Sequence, residues 1–296
     1  MIVLSSVPSI ARAQSRGVYP LGMTAVGAGV TPDPGFTYAN QLLFYARDES
    51  KANDGSNLPV SGRNAVIMDM NSFVWVSRGT VLGGAHYSAV ATLPIAKNQL
   101  VSDIHGQLSG GGGFADSYYL PVILGWNGPR ASFRALAGVL APTGRFAPGA
   151  SDNVGSGYWT PTLSAGQTIR LKRDNSLTLS AFELYEFHTT QQGTDTKPGD
   201  TFNLDYSLLH TFRSDAPARV QLGIAGYEQR QATAKTGPSI PPEQSQERYT
   251  INAIGIASGL VFPSRRLSIG VRFFEEFSNR AAYQGYSFQL SGSLSF

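Results

Sequence analysis

From Phe36 to Phe296 the chain repeats one pattern about twelve times: a run of roughly ten or more residues alternating between apolar and polar, then a turn. Successive side chains of a strand point to opposite faces, so each run has one apolar face and one wet face. Two runs show it best. Over 201–213, Phe202, Leu204, Tyr206, Leu208 and Phe212 share a face opposite Asn203, Asp205, Ser207, Thr211 and Arg213. Over 266–277, Leu267, Ile269, Val271, Phe273 and Phe277 oppose Ser268, Gly270, Arg272 and Glu276. The other runs are 36–47, 66–78, 80–96, 117–127, 132–142, 157–171, 175–188, 218–230, 248–262 and 283–296. Of these, 66–78 and 248–262 alternate less regularly, and 175–188 shifts phase near Phe182. Each is long enough to cross a bilayer at barrel tilt, which takes about 9–11 residues. The chain is therefore all-β, and the choice lies between a soluble sandwich and a closed antiparallel transmembrane β-barrel of about 12 strands over 36–296.

The connections favour the barrel. In order they run long, short, long, short. The short ones are Gly79, 127–130, 171–175, 214–217 and 263–265, all turn-prone. The long ones are 48–65, 97–116, 143–156, 189–200 and 231–247, rich in Gly, Ser, Asp, Pro and Gln, with 278–282 shorter. Outer-membrane barrels have this asymmetry, with short periplasmic turns and long extracellular loops. A sandwich has no reason to collect its long loops at one end. In lipid every backbone polar group must be paired within the protein, so the sheet must close.

Hydropathy alone would miss such a fold. Mean hydropathy is −0.11, and no run of about 18 apolar residues exists to form a transmembrane helix. Barrels escape that test because lumen-facing polar residues dilute each strand. The chain carries 33 Gly, 13 Tyr and 16 Phe against 15% charged residues, and it has no Cys, which fits an oxidising envelope. A net charge of +3 without a Lys/Arg cluster excludes a nucleic-acid footprint. Met1 to Val7 is a short apolar run, followed by Ala11-Arg12-Ala13. That reads as the end of a secretory signal over 1–13, truncated of its basic leader, with residues 14–35 as a periplasmic segment ahead of the barrel.

Alternation also assigns the two faces. Outward go Phe36, Tyr38, Leu42, Phe44, Leu120, Leu124, Trp126, Phe133, Trp159, Tyr185, Phe202, Phe288 and Phe296, with Tyr118, Trp126, Tyr158 and Tyr283 in interfacial girdles. Inward, lining the lumen and a solute path, go Gln41, Arg134, Asn203, Asp205, Arg213, Gln221, Arg272, Glu276 and Gln289. Tyr119, Leu136, Leu140 and Phe146 supply an apolar lining near the mouth. Twelve strands enclose more than a packed eight-strand core and less than a porin's aqueous channel.

No catalytic residue, metal or cofactor is expected. His86 and Ser88 share a strand face, a pairing that some outer-membrane lipid deacylases use, but no acid is evident to orient the His. His86, His105, His188 and His210 lack ligand-type spacing. Glu275 and Glu276 lie on opposite faces of one strand. Ser109 to Gly113 lacks the Lys-Ser/Thr of a phosphate loop and reads as a flexible loop near the mouth. Asp195 and Asp200 read as solvated loop acids.

The last run, from Tyr286, puts an apolar, aromatic or Gly residue at every even position and Ser or Gln at every odd one, ending on Phe296. It resembles the assembly signal of bacterial outer-membrane barrels, carried here by Phe288, Leu290, Leu294 and Phe296. Several motifs together resemble a family of outer-membrane proteins named for the meta pathway of phenol degradation. They are Tyr38-Ala39-Asn40, Asp116 before Leu120-Pro121-Val122-Ile123-Leu124-Gly125-Trp126, and Ala141-Pro142-Thr143-Gly144-Arg145-Phe146. Asn153 to Trp159, Gly226-Tyr227 with Gln229 and Gln231, and Phe296 complete the set. The chain departs after Gln231, where Lys235-Thr236-Gly237-Pro238 replaces a more acidic loop. The resemblance implies a channel in the bacterial outer membrane for passive uptake of small hydrophobic or aromatic compounds, and no enzyme. Its partners would be outer-membrane lipid and lipopolysaccharide, the barrel assembly machinery and a small hydrophobic solute. The alternatives are a deacylase-like lipid-modifying enzyme and a structural or adhesive barrel.

Overall fold

A computed structural model describes residues 17–59, 62–102, 106–150, 152–212 and 216–296. Thirteen strand segments build one antiparallel sheet. They are β1 (Gly35–Ser50), β2 (Gly62–Val81), β3 (Ala85–Ser102), β4 (Gly106–Phe114), β5 (Ser117–Asn127), β6 (Ala131–Ala141) and β7 (Thr160–Arg170). Then come β8 (Leu177–Glu186), β9 (Thr201–Phe212), β10 (Arg219–Gln231), β11 (Thr250–Phe262), β12 (Leu267–Glu276) and β13 (Tyr283–Ser295). β1 pairs with β2 on one side and with β13 on the other, so the sheet closes on itself. β4 and β5 pair with the two halves of β3 and form a single stave broken at Ala115 and Asp116. The result is a closed barrel of 12 staves.

The break has a local cause. Pro94 in the middle of β3 has no N–H to give the ladder, and its carbonyl takes the Ala115 N–H at 3.0 Å, where the partner stave leaves the sheet. The connections β1–β2, β6–β7, β8–β9, β10–β11 and β12–β13 lie at one rim, and β2–β3, β5–β6, β7–β8, β9–β10 and β11–β12 at the other.

Four local readings of the sequence are corrected. The β2–β3 hairpin turns at Leu82-Gly83-Gly84, with φ of 38°, 73° and 90°, rather than at Gly79. β4 occupies part of the stretch read as a loop, because its four consecutive glycines hide any alternation. β8 keeps one phase: Ser180, Phe182, Leu184 and Glu186 are all buried, with no shift near Phe182. A bulge between Tyr119 and Val122 turns Leu120 into the lumen, where it is buried, and leaves Tyr119 and Val122 exposed.

The sequence pattern leaves open whether residues 17–34, in the segment ahead of the barrel, enter the lumen. They run through its bore. Near one rim Thr31 exchanges hydrogen bonds with the Asn127 side chain at 2.8 and 3.2 Å. Toward the other rim the Gly17 N–H donates to the Tyr249 hydroxyl at 2.7 Å. The segment does not alternate, so nothing in its pattern marks it as part of a barrel. Its apolar side chains nonetheless find an apolar wall: Tyr19 and Ala28 are buried in a cluster with Tyr118, Ile123, Leu136, Phe182 and Leu184. The wall is cut to fit. A Cβ on Gly166 would stand 2.1 Å from the Ala28 carbonyl oxygen, so only glycine lets the two backbones approach this closely.

Candidate functional site

The inward polar residues chiefly serve this internal segment. Asp205 accepts from the Tyr19 hydroxyl at 2.7 Å, the Gly22 N–H at 2.9 Å and the Thr24 N–H at 3.0 Å. Arg272 donates to the carbonyls of Gly22 and Met23 at 2.8 and 3.0 Å. Arg134 donates to the Ala28 carbonyl at 2.7 Å. Gln41 donates to Gln289 at 2.8 Å, and Gln289 to the Leu21 carbonyl at 2.9 Å. Such a plug segment has few partners of its own along the chain, so its buried N–H and C=O groups need side chains from the staves.

Glu186 is the member that sequence reasoning missed. One carboxylate oxygen accepts the N–H groups of Val18 and Tyr19, both at 2.8 Å, and the other accepts from Thr201 and, at 3.1 Å, from Asn203. Its alternation with Ser180, Phe182 and Leu184 was the available signal, obscured by the supposed phase shift. Asn203 in turn accepts from Gln229 at 2.6 Å. Glu276 gathers the hydroxyls of Tyr45 and Tyr227, the Asn279 amide and the Gly285 N–H, and thereby ties β12 to β1, β10 and β13. Gln221 bonds Thr211 at 3.3 Å, away from the plug. Arg213 lies outside the described residues, as do the segments 1–13 and 14–16, and His105.

Beyond residues 17–21 the bore opens into a cavity of about 420 Å³. Val18, Tyr19, Pro20 and Leu21 form its floor. Leu43, Val66, Met68 and Phe146 supply apolar wall, and Tyr45, Arg47, Asp116, Tyr158, Tyr227 and Gln229 supply polar groups. The Arg47 guanidinium lies 4.6 Å from the Tyr45 ring and 5.9 Å from that of Tyr283. The β6–β7 loop that brings in Phe146 is pinned by Asp116, which accepts the N–H groups of Gly144 at 3.1 Å and Ser156 at 2.7 Å. His188 braces Tyr158 edge-on at 5.0 Å between ring centres, and burial lowers its pKa, which keeps the imidazole neutral. Cavities of this size that combine apolar wall with convergent polar groups suit small organic ligands.

Several assignments of face change. Tyr118 and Tyr158, expected in the girdles, are buried inside, and Tyr283 turns to Arg47. Of the expected apolar lining, Leu136 and Leu140 are buried inside and Phe146 reaches the cavity, whereas Tyr119 faces out. Phe36, Phe44, Trp159, Phe202 and Phe296 are exposed on the outer face, and the Phe288 ring packs there against Phe44, tilted by 43° at 6.2 Å. Leu290 and Leu294 are exposed beside them on β13. His86 Nδ1 lies 3.0 Å from the Ser77 carbonyl, and Ser88 is buried in the wall. Asp200, read as a solvated acid, is buried and accepts the His188 N–H at 2.9 Å. Among the described residues no group of three His, Cys, Asp or Glu side chains stands together as a metal site requires.

The sequence model of a family described as "Putative MetA-pathway of phenol degradation" matches residues 47–291. The chain belongs to that family. The match runs from Arg47, near the end of β1, to Ser291 in β13, so it takes in Arg134, Glu186, Asp205, Arg272 and Gln289 and the wall residues Val66, Met68 and Phe146, whereas Gln41, Leu43 and Tyr45 on β1 precede the phenol-degradation family's region. No curated protein matches the chain. Among solved structures, it is similar to an outer-membrane channel from Pseudomonas putida F1, with a TM-score of 0.73 at 12% identity over 92% of this chain and 98% of that one. It also resembles the β domain of the Bordetella autotransporter BrkA, with a TM-score of 0.51 at 10% identity over 89% of this chain and 100% of that one. At these identities the likeness shows the shared fold, a β-barrel of the bacterial outer membrane.

Proposed function

We infer that the protein is a passive outer-membrane channel that admits small hydrophobic or aromatic compounds, and that the cavity beyond residues 17–21 is where they are first held. The observation that carries this reading is the cavity itself: about 420 Å³, set within a transmembrane barrel, walled by Phe146, Met68 and Leu43 and edged by Tyr45, Tyr158 and Gln229. A single aromatic ring with one hydroxyl would bury its ring on the first group and hydrogen-bond through the second. Family membership and the similarity to an outer-membrane channel support the same reading. Lipopolysaccharide resists apolar solutes and a water-filled pore disfavours them, so an apolar-walled recess inside the barrel lowers the barrier that both present.

Passage beyond the cavity requires residues 17–34 to shift, since their hydrogen bonds reach from Tyr249 to Asn127 along the bore. No chemical step is needed, and no catalytic residue is proposed. Uptake of a labelled phenol into proteoliposomes tests the reading. The rate should exceed that of empty liposomes and saturate as the cavity fills; equality with empty liposomes would refute it.

A further inference from the structure

We propose that the outer face of β1 and β2 is the contact between two copies of this chain in the membrane. The outer belt should carry apolar side chains, and β10 to β12 obey this with Leu222, Ile224, Ile256 and Phe273 exposed to lipid. β1 and β2 do not. Asn40, Asp69 and Asn71 point outward together, and Asp69 lies midway between Arg63 and Trp75, the outward residues toward the two ends of β2. The Asn40 amide donates to Asp69 at 2.5 Å and to Asn71 at 3.3 Å, Asn71 donates to Asp69 at 3.4 Å, and the Tyr38 hydroxyl donates to Asn71 at 2.5 Å. A carboxylate and two amides in the middle of the hydrocarbon layer are costly, and such residues in membranes turn toward protein or water.

A second copy fits better than lipid or a different protein. After these bonds an Asn has capacity left: the Asn40 carbonyl oxygen can accept and one Asn71 N–H can donate. Acyl chains can take up neither. Asn40 and Asn71 are direct cross-strand partners and so lie at nearly the same depth. A two-fold axis along the membrane normal between β1 and β2 sets β1 of one copy against β2 of the other. Asn40 then meets Asn71 twice over, and each Asp69 faces Leu42 of the other copy, diagonal to its Asn40 amide, rather than the other Asp69. A head-to-tail arrangement that set Asp69 against another outward acid, such as Glu183 on β8, would bring two carboxylates together. Close approach is possible because Gly292, the β13 partner of Asn40, adds no side chain on that flank, and Phe73, Ile95 and Leu290 form an exposed apolar rim around the polar centre.

The full chain, which has no native Cys, permits a direct test in isolated outer membranes. Gly292 lies one stave beyond Asn40, so its two copies stand roughly 15 Å apart across the axis at about 4.8 Å per stave; with Gly292→Cys, a flexible bis-maleimide reaching about 15–20 Å should therefore give a cross-linked dimer, and Ile256→Cys, on a distant stave, should give at least tenfold less. Replacing Asn40, Asp69 and Asn71 together by Leu should reduce the Gly292→Cys dimer at least tenfold and convert the detergent-solubilised protein to a monomer by native mass spectrometry, while heat-modifiable gel migration still reports a folded barrel. If the wild type is a monomer and Gly292→Cys fails to cross-link, the proposal is wrong. It is equally wrong if Gly292→Cys cross-links to another protein, or if the Leu variant stays dimeric.

Discussion

Replacing Asp205 by Ala should loosen the plug without unfolding the barrel. Asp205 receives three hydrogen bonds from residues 17–34, two from backbone N–H groups and one from a hydroxyl. Hydrogen bonds to a charged group contribute about 1.5–3 kcal/mol each, but bonds that share one carboxylate do not add fully. Tyr19 also keeps its contact with Thr24 at 2.9 Å. A net loss of roughly 2–4 kcal/mol in plug docking follows, which multiplies the undocked population roughly 30- to 1,000-fold. The strand ladder of β9 with β8 and β10 does not involve the Asp205 side chain, so the barrel should remain intact. A reporter cysteine at Met23, in a chain with no other Cys, measures the effect. Its maleimide labelling in intact outer membranes should speed up by at least tenfold, and planar-bilayer recordings should show more frequent opening. Asp205→Asn, which keeps one acceptor oxygen, should fall between wild type and Ala. Unchanged labelling and conductance in a barrel that still shows heat-modifiable migration would refute the assignment of Asp205 as an anchor.

Three further outcomes are expected. Gly166→Val should exclude the plug from its seat, because even a Cβ there meets the Ala28 carbonyl at 2.1 Å; protease cleavage between residues 17 and 34 in the folded protein should rise at least tenfold, and unchanged protection would contradict the packing. Phe146→Ala should weaken apparent affinity for a phenol in the uptake assay about tenfold, on the scale of one aromatic face lost from a cavity wall, while leaving heat-modifiability unchanged; an unaltered saturation curve would remove Phe146 from the site. Deleting Phe296, whose ring lies 6.2 Å from that of Phe36 at the β1–β13 seam, should lower the amount of folded protein in outer-membrane fractions several-fold; normal insertion would count against a role for the terminal aromatic in assembly.

What was legible in the sequence follows from periodicity. Where one face meets lipid and the other meets a polar lumen, as in β9 and β12, the two-residue repeat reports the fold directly, and Asn203, Asp205, Arg272 and Glu276 all face inward as it predicts. It fails where the lumen is apolar. Leu120, Ile123, Leu136 and Leu140 are inward because the plug covers them, so β5 and β6 are apolar on both faces and their phase is ambiguous. A bulge such as that after Tyr119 then reverses faces without any visible signal. Glycine conceals a strand altogether in β4. The outward trio of Asn40, Asp69 and Asn71 explains the poor alternation of 66–78: Asp69 and Asn71 put polar side chains on the lipid face, while Met68, Met70 and Val76 put apolar ones inside.

The plug changes what an inward polar residue means. Read alone, Arg134, Asp205, Arg272 and Gln289 suggest a wet passage of mixed charge. In the folded chain each one bonds to a backbone or hydroxyl group of residues 17–34. Their charges are thus spent on holding a peptide, and ion selectivity cannot be inferred from them while it is seated. The cavity touches only residues 17–21 of that peptide. The smallest motion that would deepen it is therefore a bend there, which breaks the two bonds to Glu186, the one to Tyr249, the Tyr19 hydroxyl's bond to Asp205 and the Gln289 bond to the Leu21 carbonyl. Everything from Gly22 onward could stay anchored by Asp205, Arg272, Arg134 and Asn127. A solute path opened this way is bounded by Tyr19 and Leu21 on one side and by the wall on the other. The remainder of the segment still fills the bore, so such a bend enlarges the holding site for a flat aromatic molecule, and onward passage requires residues 22–34 to move as well.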